Sequence, residues 1–323
     1  MNNPSGEIAV ADFQPSAADF LAETIAGLSQ TPRTLPCKYF YDERGAELFG
    51  EICELPEYYI TRTELAILSD YRAEISRSLG PRIQLIGLGT GAGTKTRILL
   101  EELEEPATYI PVDISREQLD ESTGRFRKMF PRLEILPVAG DYLQSLELPT
   151  AKRERQRRVV YFPGSTIGNF EPQEAAKFLK RIARLCGPGG GLLIGVDLQK
   201  SADIIERAYN DSRGVTAKFN LNLLARANLE LGANFDLSRW HHRAVYNPVD
   251  GRIEMNLISG DDQSVQIGDR EFQFSRGEKI ITEYSSKYSQ DGFATLASAA
   301  GFEVGKLWTD DQKLFGVFYF VVR

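Results

Sequence analysis

Little in this chain can hold a metal ion or a disulfide framework. Its 323 residues include three cysteines and two histidines. Cys37, Cys53 and Cys186 are odd in number and show no C-x-x-C spacing, so three reduced thiols are expected. His241 and His242 are adjacent, and adjacent side chains point different ways on a helix or a strand, which disfavours a ligand pair; no metal site is expected. Long apolar runs are missing too: the longest, near FGVFYFVV, is far too short to span a bilayer. The opening MNNPSGEIAVADFQ lacks the charged and apolar regions of a signal peptide, so a cytoplasmic protein is expected. Basic charge is in deficit. Thirty-eight Lys and Arg against 45 Asp and Glu give a net charge of -7, which works against gripping nucleic acid phosphates or anionic lipid and points to a small partner. The one basic run, AKRERQRR at 151–158, reads as a solvated loop ahead of a strand.

What is present is a substantial apolar fraction, 42%, in a regular texture. Helical spacing governs SAADFLAETIAGLSQ, GAELFGEICEL and TRTELAILSDYRAEISRSL. From residue 83 short apolar runs (IQLIGLG, TYIPVD, EILPVAGD, RVVYFPG, GLLIGVDL) alternate with amphipathic segments such as TKTRILLEEL and PQEAAKFLKRIARLC. That alternation predicts βαβ units feeding a parallel sheet covered on both faces. The pattern stops at Leu198. Residues 200–286 read as a helix-rich piece followed by strands, with an Asp-Gly hairpin signal in RAVYNPVDGRIEMNLIS. The last stretch reads helix, strand, loop, strand, and its closing strand is apolar enough to rejoin the parallel sheet. The expectation is an α/β fold: a doubly wound, Rossmann-like domain of residues 61–199 and 287–323, and a second α+β domain of residues 1–60 and 200–286.

LIGLGTGAGTKTR places Gly87, Gly89, Gly91 and Gly93 between a strand and a helix, where missing side chains let a ligand lie against backbone at a helix N-terminus. The next strand ends in Asp113, an acceptor for ribose hydroxyls. The third ends in GDY, bringing Asp141 and Tyr142 to the same crevice, the carboxylate for an adenine amino group and the ring for stacking. A nucleoside is implied, and NAD and S-adenosylmethionine both satisfy the arrangement. The absence of a clear G-x-G-x-x-G and a closing strand pair after the fifth parallel strand favour S-adenosylmethionine and a class I methyltransferase, the latter by fold analogy.

LPCKYFYDERGAELFGEICELPEYYITRTE, GTKTR, FPGSTIGNF, AYNDSRGVTAKFN and TEYSSKY, in this order and spacing, resemble the histidine-specific methyltransferases of ergothioneine biosynthesis across nearly the whole chain. That resemblance implies threefold methylation of the α-amino group of L-histidine, giving hercynine, with S-adenosylmethionine as donor. It implies cofactor contacts at Gly89, Lys95, Asp113, Asp141 and Tyr142. It implies histidine contacts at Tyr58, Asn169, Tyr209, Glu283 and Ser285, with Tyr41 and Met255 as neighbours, and Tyr58 and Asn169 nearest the chemistry. Gly87 departs from the acidic residue that many methyltransferases carry before the glycine loop.

These residue types suit the chemistry. Methyl transfer to an amine needs a neutral nitrogen lone pair in line with the methyl group, so position does most of the work. Asn169 offers one amide to an amine and a carboxylate together, while Ser165 and Thr166 are expected to cap its turn and the following helix. Phenols such as Tyr58 and Tyr209 bind polar groups without adding charge. Glu283 and Ser285 alternate along a strand and so face one side, where they would fix an imidazole's N–H and its other nitrogen. Met255 reads equally well as core. A monomer is expected. Competing readings are an Nα-methyltransferase of tryptophan or tyrosine, a nicotinamide-dependent dehydrogenase, and a cofactor-binding regulatory module without turnover.

Overall fold

The computed structural model describes residues 11–13, 16–142 and 147–323. Helices α1 (Ala17–Leu28), α2 (Glu43–Cys53), α3 (Tyr59–Asp70) and α4 (Arg72–Leu79) lead into strand β1 (Ile83–Leu88). Then α5 (Thr94–Glu102), β2 (Thr108–Asp113), α6 (Arg116–Met129), β3 (Val138–Gly140), β4 (Arg157–Phe162), α7 (Pro172–Cys186) and β5 (Gly191–Asp197) follow, matching the alternation in the sequence. Helices α8 (Ala202–Tyr209) and α9 (Val215–Leu231) precede strands β6 (Trp240–Asn247), β7 (Arg252–Ser259) and β8 (Lys279–Ser286). Helix α10 (Gln290–Ala299) and strands β9 (Phe302–Thr309) and β10 (Phe315–Val322) close the chain. Shorter strands are named by their residues.

The large sheet runs β3-β2-β1-β4-β5-β10-β9, with Ala11–Phe13 paired to the outer edge of β3. Strands β1 to β5 are parallel, and β10 lies antiparallel to both β5 and β9. This is the class I methyltransferase arrangement. Because the strand order reverses between β1 and β4, the carboxyl ends of the strands open a crevice there. Every residue of β1, β2 and β5 is buried, as expected of strands covered on both faces, so their apolar runs are continuous rather than alternating. Helix α7 shows how a cover forms. Its Ala175, Phe178, Leu179, Ile182, Ala183 and Cys186 recur at helical spacing and bury one stripe, Pro172 starts it, and Gly187 at φ +73° ends it.

A second sheet has the order Arg33–Thr34, β8, β7, β6. The Asp-Gly turn joins β6 and β7 as the sequence predicts, with Gly251 at φ +64°. Residues far apart in the chain therefore share this sheet: Arg33–Thr34 runs parallel to β8. The two sheets meet where β5 and β8 end, through a bridge between Leu198 and Tyr288.

Candidate active site

The turn after β1 is held open by backbone geometry. Gly89 sits at φ +58°, in the left-handed region, with its N–H bonded to the Val112 carbonyl at 2.8 Å. A Cβ at Gly89 would lie 3.4 Å from the Tyr142 ring, so the phenol covers the glycine turn. That ring is braced edge-on by Phe162 and Phe178, with centroids 5.4 and 6.4 Å away. Asp113, buried at the end of β2, accepts the Gly91 N–H on Oδ2 and the Ser115 N–H on Oδ1, each at 3.0 Å. Burial pushes its carboxyl upward, against backbone hydrogen bonds from Ser115, Gly91 and Ile114. A carboxylate offers about four acceptor sites, so capacity remains for a ligand. Asp141 is buried beside Lys38, whose ammonium is 3.8 Å from Oδ2.

Lys95 points elsewhere. Its ammonium lies 2.5 Å from Oε2 of Glu64, a fully buried residue on α3, and the same oxygen accepts the Gly164 N–H at 2.9 Å. Glu64 therefore ties α3 both to the loop after β4 and, through Lys95, to α5. Glu64 Oε1 has no hydrogen-bond partner, and a Cβ at Gly195 would lie only 2.2 Å from it.

The loop after β4 carries Asn169. Ser165, at φ +58°, accepts the Asp197 N–H on its Oγ at 2.9 Å, and Thr166 donates to the Pro163 carbonyl at 3.0 Å. Thr166 thus caps the turn, but neither residue caps α7 as the sequence reading expected. Glu174 does part of that work by accepting the Glu171 N–H at 3.2 Å. Ser165 is instead used to pin the loop to the end of β5. The short helix Thr166–Asn169 packs on β8, and a Cβ at Gly168 would lie 3.3 Å from Ser285 Oγ. Asn169 is half-buried and its amide makes no hydrogen bond among the described residues.

The other substrate candidates gather opposite. Glu283 stands across from Met255 in the β7–β8 register, and Ser285 across from Ile253, so both acid and hydroxyl face one side of β8. Tyr58, at the start of α3, meets Tyr209 edge-on at 6.2 Å, and Tyr209 donates to Ser285 Oγ at 3.0 Å. Tyr41 packs on Phe49 and Phe219. Burial first, and then the carboxylate of Glu283 together with Cys37, Tyr142 and Cys53, holds the Tyr41 phenol well above its ordinary range. Both Glu283 and Tyr142 thus bear on the Tyr41 phenol. Burial likewise keeps Tyr58 and Tyr209 neutral. Glu283 itself is pushed up to about 7 by burial, with Lys287 opposing. It makes no hydrogen bond among the described residues, and the same holds for Met255's side chain, which is core in burial and lies next to the acid.

Behind these residues runs a buried charged network. Asp197, at the end of β5, is paired with Lys287 at 2.9 Å and with Lys200, and accepts the Tyr59 hydroxyl at 2.9 Å. Burial opposes the charge on Lys287, but Asp197 and then Tyr209 outweigh it and hold the ammonium above the usual lysine range. His242 is spent on structure: Asn220 donates to Nδ1 at 2.9 Å, so Nε2–H donates to the Tyr209 carbonyl at 2.8 Å. Among the described residues no cluster of His, Cys, Asp and Glu could hold a metal ion.

The glycine turn, Asp113, Asp141, Asn169 and Asp197 all stand at or just beyond the carboxyl ends of the parallel strands, beside the β8 face that carries Glu283 and Ser285. The model of the family described as histidine-specific, SAM-dependent methyltransferase matches residues 20–322. The chain belongs to that family. It is 40% identical over 312 residues to the histidine N-alpha-methyltransferase of Mycolicibacterium smegmatis, spanning 93% of this chain and 96% of that protein. To the histidine N-alpha-methyltransferase of Mycobacterium tuberculosis it is 38% identical over 319 residues, 96% and 98% of the two chains. Ergothioneine biosynthesis protein 1 of Neurospora crassa is 30% identical over 296 residues, which is 86% of this chain and 32% of that larger protein.

As in other members of the family, the methyl donor is S-adenosylmethionine, and the donor set fits it. Asp113 has acceptor capacity to spare, and the Gly89 turn carries no side chain between its backbone and the Tyr142 ring. Sequence reading missed Glu64, Asp197, Lys200 and Lys287. Two signals were there: GLLIGVD ends in an acid just as TYIPVD does, and Lys287 continues the 283, 285 alternation on the same face. Glu64 was marked only by standing in a buried helical stripe with Ile60, Ile67 and Leu68.

Proposed function

We propose that this chain transfers three methyl groups in succession from S-adenosylmethionine to the α-amino nitrogen of L-histidine, forming hercynine, as the first step of ergothioneine biosynthesis. The observation that carries the reading is the position of Asn169. Its amide, which makes no hydrogen bond among the described residues, follows Gly168 at the point where the loop after β4 presses on Ser285 and Ser286 of β8.

S-adenosylmethionine supplies an electrophilic methyl group on a sulfonium. The chain's own residues do the rest. Asn169 holds the substrate's amine and carboxylate, with Tyr58 and Tyr209 as neutral hydrogen-bonding partners, so that the amine is oriented rather than activated. Ser285 and Glu283 hold the imidazole, and Tyr41 and Met255 line its flank. Gly89, Asp113, Asp141 and Tyr142 hold the adenosine, and Lys95 organises the neighbouring loop through Glu64. No phenol here is acidic enough to serve as a base, because burial holds Tyr41, Tyr58 and Tyr209 above their ordinary range. The Cys37 thiol, pushed up to about 12 by burial and Glu283, is no nucleophile. The amine therefore loses its protons to solvent, one for each methyl group gained.

In this reading residues 61–199 and 287–323 form the cofactor domain, while 1–60 and 200–286 form the substrate domain. The protein works as a cytoplasmic monomer without nucleic acid or membrane partners. Among the described residues no helix is long and apolar enough to cross a membrane. The test is incubation with labelled S-adenosylmethionine and each common amino acid, read by mass. Histidine should gain three methyl groups on its α-nitrogen. A product with one methyl, a label on the imidazole ring, or a preference for tryptophan or tyrosine overturns the assignment.

A further inference from the structure

Lys287 is buried, and all three of its ammonium hydrogens are committed. They go to Asp197 Oδ2 at 2.9 Å, to Tyr209 Oη at 3.0 Å and to Ser285 Oγ at 2.8 Å. The two hydroxyls are also bonded to each other at 3.0 Å, with Tyr209 donating. A serine hydroxyl has two acceptor lone pairs and one donor. Ser285 Oγ has both lone pairs filled, by Lys287 and Tyr209, so only its O–H remains for a ligand. Without the ammonium the serine would be free to turn and act as acceptor or donor. Glu283, two residues away on the same face, makes no hydrogen bond among the described residues. The pocket therefore presents one fixed donor and one acceptor at strand-neighbour spacing.

We propose that Lys287, anchored by Asp197, is a positioning residue that fixes the Ser285 hydroxyl as a donor, so that the pocket selects a neutral ring carrying one acceptor nitrogen and one N–H. This inference rests on the proposed function and deepens it. The charge balance favours the arrangement and also makes it testable. Lys200 and the Tyr59 hydroxyl remain on Asp197 if Lys287 is removed, so that carboxylate keeps a partner in a Lys287→Met protein.

The probe pair is L-histidine and 3-(pyrrol-2-yl)-L-alanine, whose ring keeps an N–H and lacks the acceptor nitrogen. Wild-type protein should prefer histidine in kcat/KM by roughly 10- to 100-fold, the cost of leaving a buried donor unpaired. Lys287→Met should reduce that preference at least fivefold, and Ser285→Ala should do the same. Any loss of positive charge near the substrate carboxylate acts on both substrates alike and cancels in the ratio, as would a merely structural role. The double variant should show no further loss of preference beyond either single one. Lys287→Gln, which retains an amide donor, should recover part of it. Undiminished preference in a folded Lys287→Met protein overturns the inference while leaving histidine methylation intact. Wild-type protein that methylates no histidine overturns both. If Lys287→Met does not fold, Ser285→Ala and Tyr209→Phe decide: loss of preference in the first and a partial loss in the second, which frees one of the two lone pairs on Ser285, are expected, and undiminished preference in either overturns the assigned hydroxyl direction.

Discussion

Gly168 lies against Ser285 with no room for a side chain between them. A Cβ at Gly168 would come within 2.8 Å of the Ser286 carbonyl, 3.2 Å of the Ser286 nitrogen and 3.3 Å of Ser285 Oγ. Two of those atoms are backbone of a paired strand and cannot swing away. Gly168→Ala should therefore push the Asn169 turn off β8. Overpacking of this kind costs roughly 1–3 kcal/mol in stability. Histidine kcat/KM should fall by at least tenfold, because Asn169 moves relative to Ser285, while cofactor affinity changes little. Steady-state kinetics with calorimetric titration of S-adenosylhomocysteine checks this; an alanine variant of wild-type catalytic efficiency would mean that the turn need not touch the strand.

In the proposed function Asp113 supports the cofactor site twice, once through its remaining acceptor capacity and once through the Gly91 N–H that it holds at 3.0 Å. Asp113→Ala should weaken S-adenosylmethionine binding by roughly 1.5–3 kcal/mol, the range for hydrogen bonds to a charged group. Asp113→Asn should lose less, since its amide oxygen still accepts one of the bonds. Equal affinity in wild-type and alanine proteins, both folded, would remove Asp113 from the ribose site.

The fold was legible where physics acts locally. Continuous apolar runs announced β1, β2 and β5, an Asp-Gly pair announced the β6–β7 turn, and the closing apolar strand had to rejoin the sheet. What the sequence hid depends on partners distant in the chain. Arg33–Thr34 is too short to carry a period, and it is a strand only because β8 lies beside it. Pro137 interrupts the third run, which becomes Glu134–Ile135 and Val138–Gly140 instead of one strand. In the candidate site, Asp113 and Tyr142 stand at strand ends and were marked by position, while Glu283 and Ser285 were singled out by family resemblance and then by their shared strand face. Lys287 and Glu64 are buried charges whose partners, Asp197 and Lys95, are supplied by other elements, which no local pattern shows.

The Glu283 carboxyl, pushed up to about 7 by burial from an ordinary 4.5, makes stability depend on pH. Below about 4.5 the group is neutral in both folded and unfolded chains and imposes no penalty. As pH rises from there the unfolded chain ionises first, so folding loses stability, and the loss is complete above the folded value. Glu283→Gln has no such dependence. Relative to wild type it should gain about 1–3 kcal/mol between pH 5 and pH 8, allowing for partial solvent screening of a half-buried group. Urea titrations of both proteins at the two pH values measure it. A constant difference would mean that Glu283 titrates normally in the folded chain.

Specificity for the imidazole should rest on that same residue. Glu283 is the acid facing Tyr41, Tyr58 and Tyr209, and it shares its strand face with Ser285. An ionised carboxylate accepting a ring N–H forms a charge-assisted bond, stronger than its neutral counterpart. Glu283→Ala should leave the ring N–H unpaired in a closed pocket and lower kcat/KM for histidine by roughly 10- to 100-fold, corresponding to about 1.5–3 kcal/mol. Cofactor affinity should barely change, because Asp113 and Tyr142 belong to the large sheet. Removing the acid also opens space beside Met255, so larger aromatic amino acids should be rejected less strongly, as expected when selectivity comes from a polar group that the wrong substrate leaves unpaired. Kinetics with histidine and tryptophan on folded Glu283→Ala protein decides the point. If the preference for histidine is unchanged, the imidazole is read by Ser285 alone, and Glu283 serves only the electrostatics of the surrounding phenols.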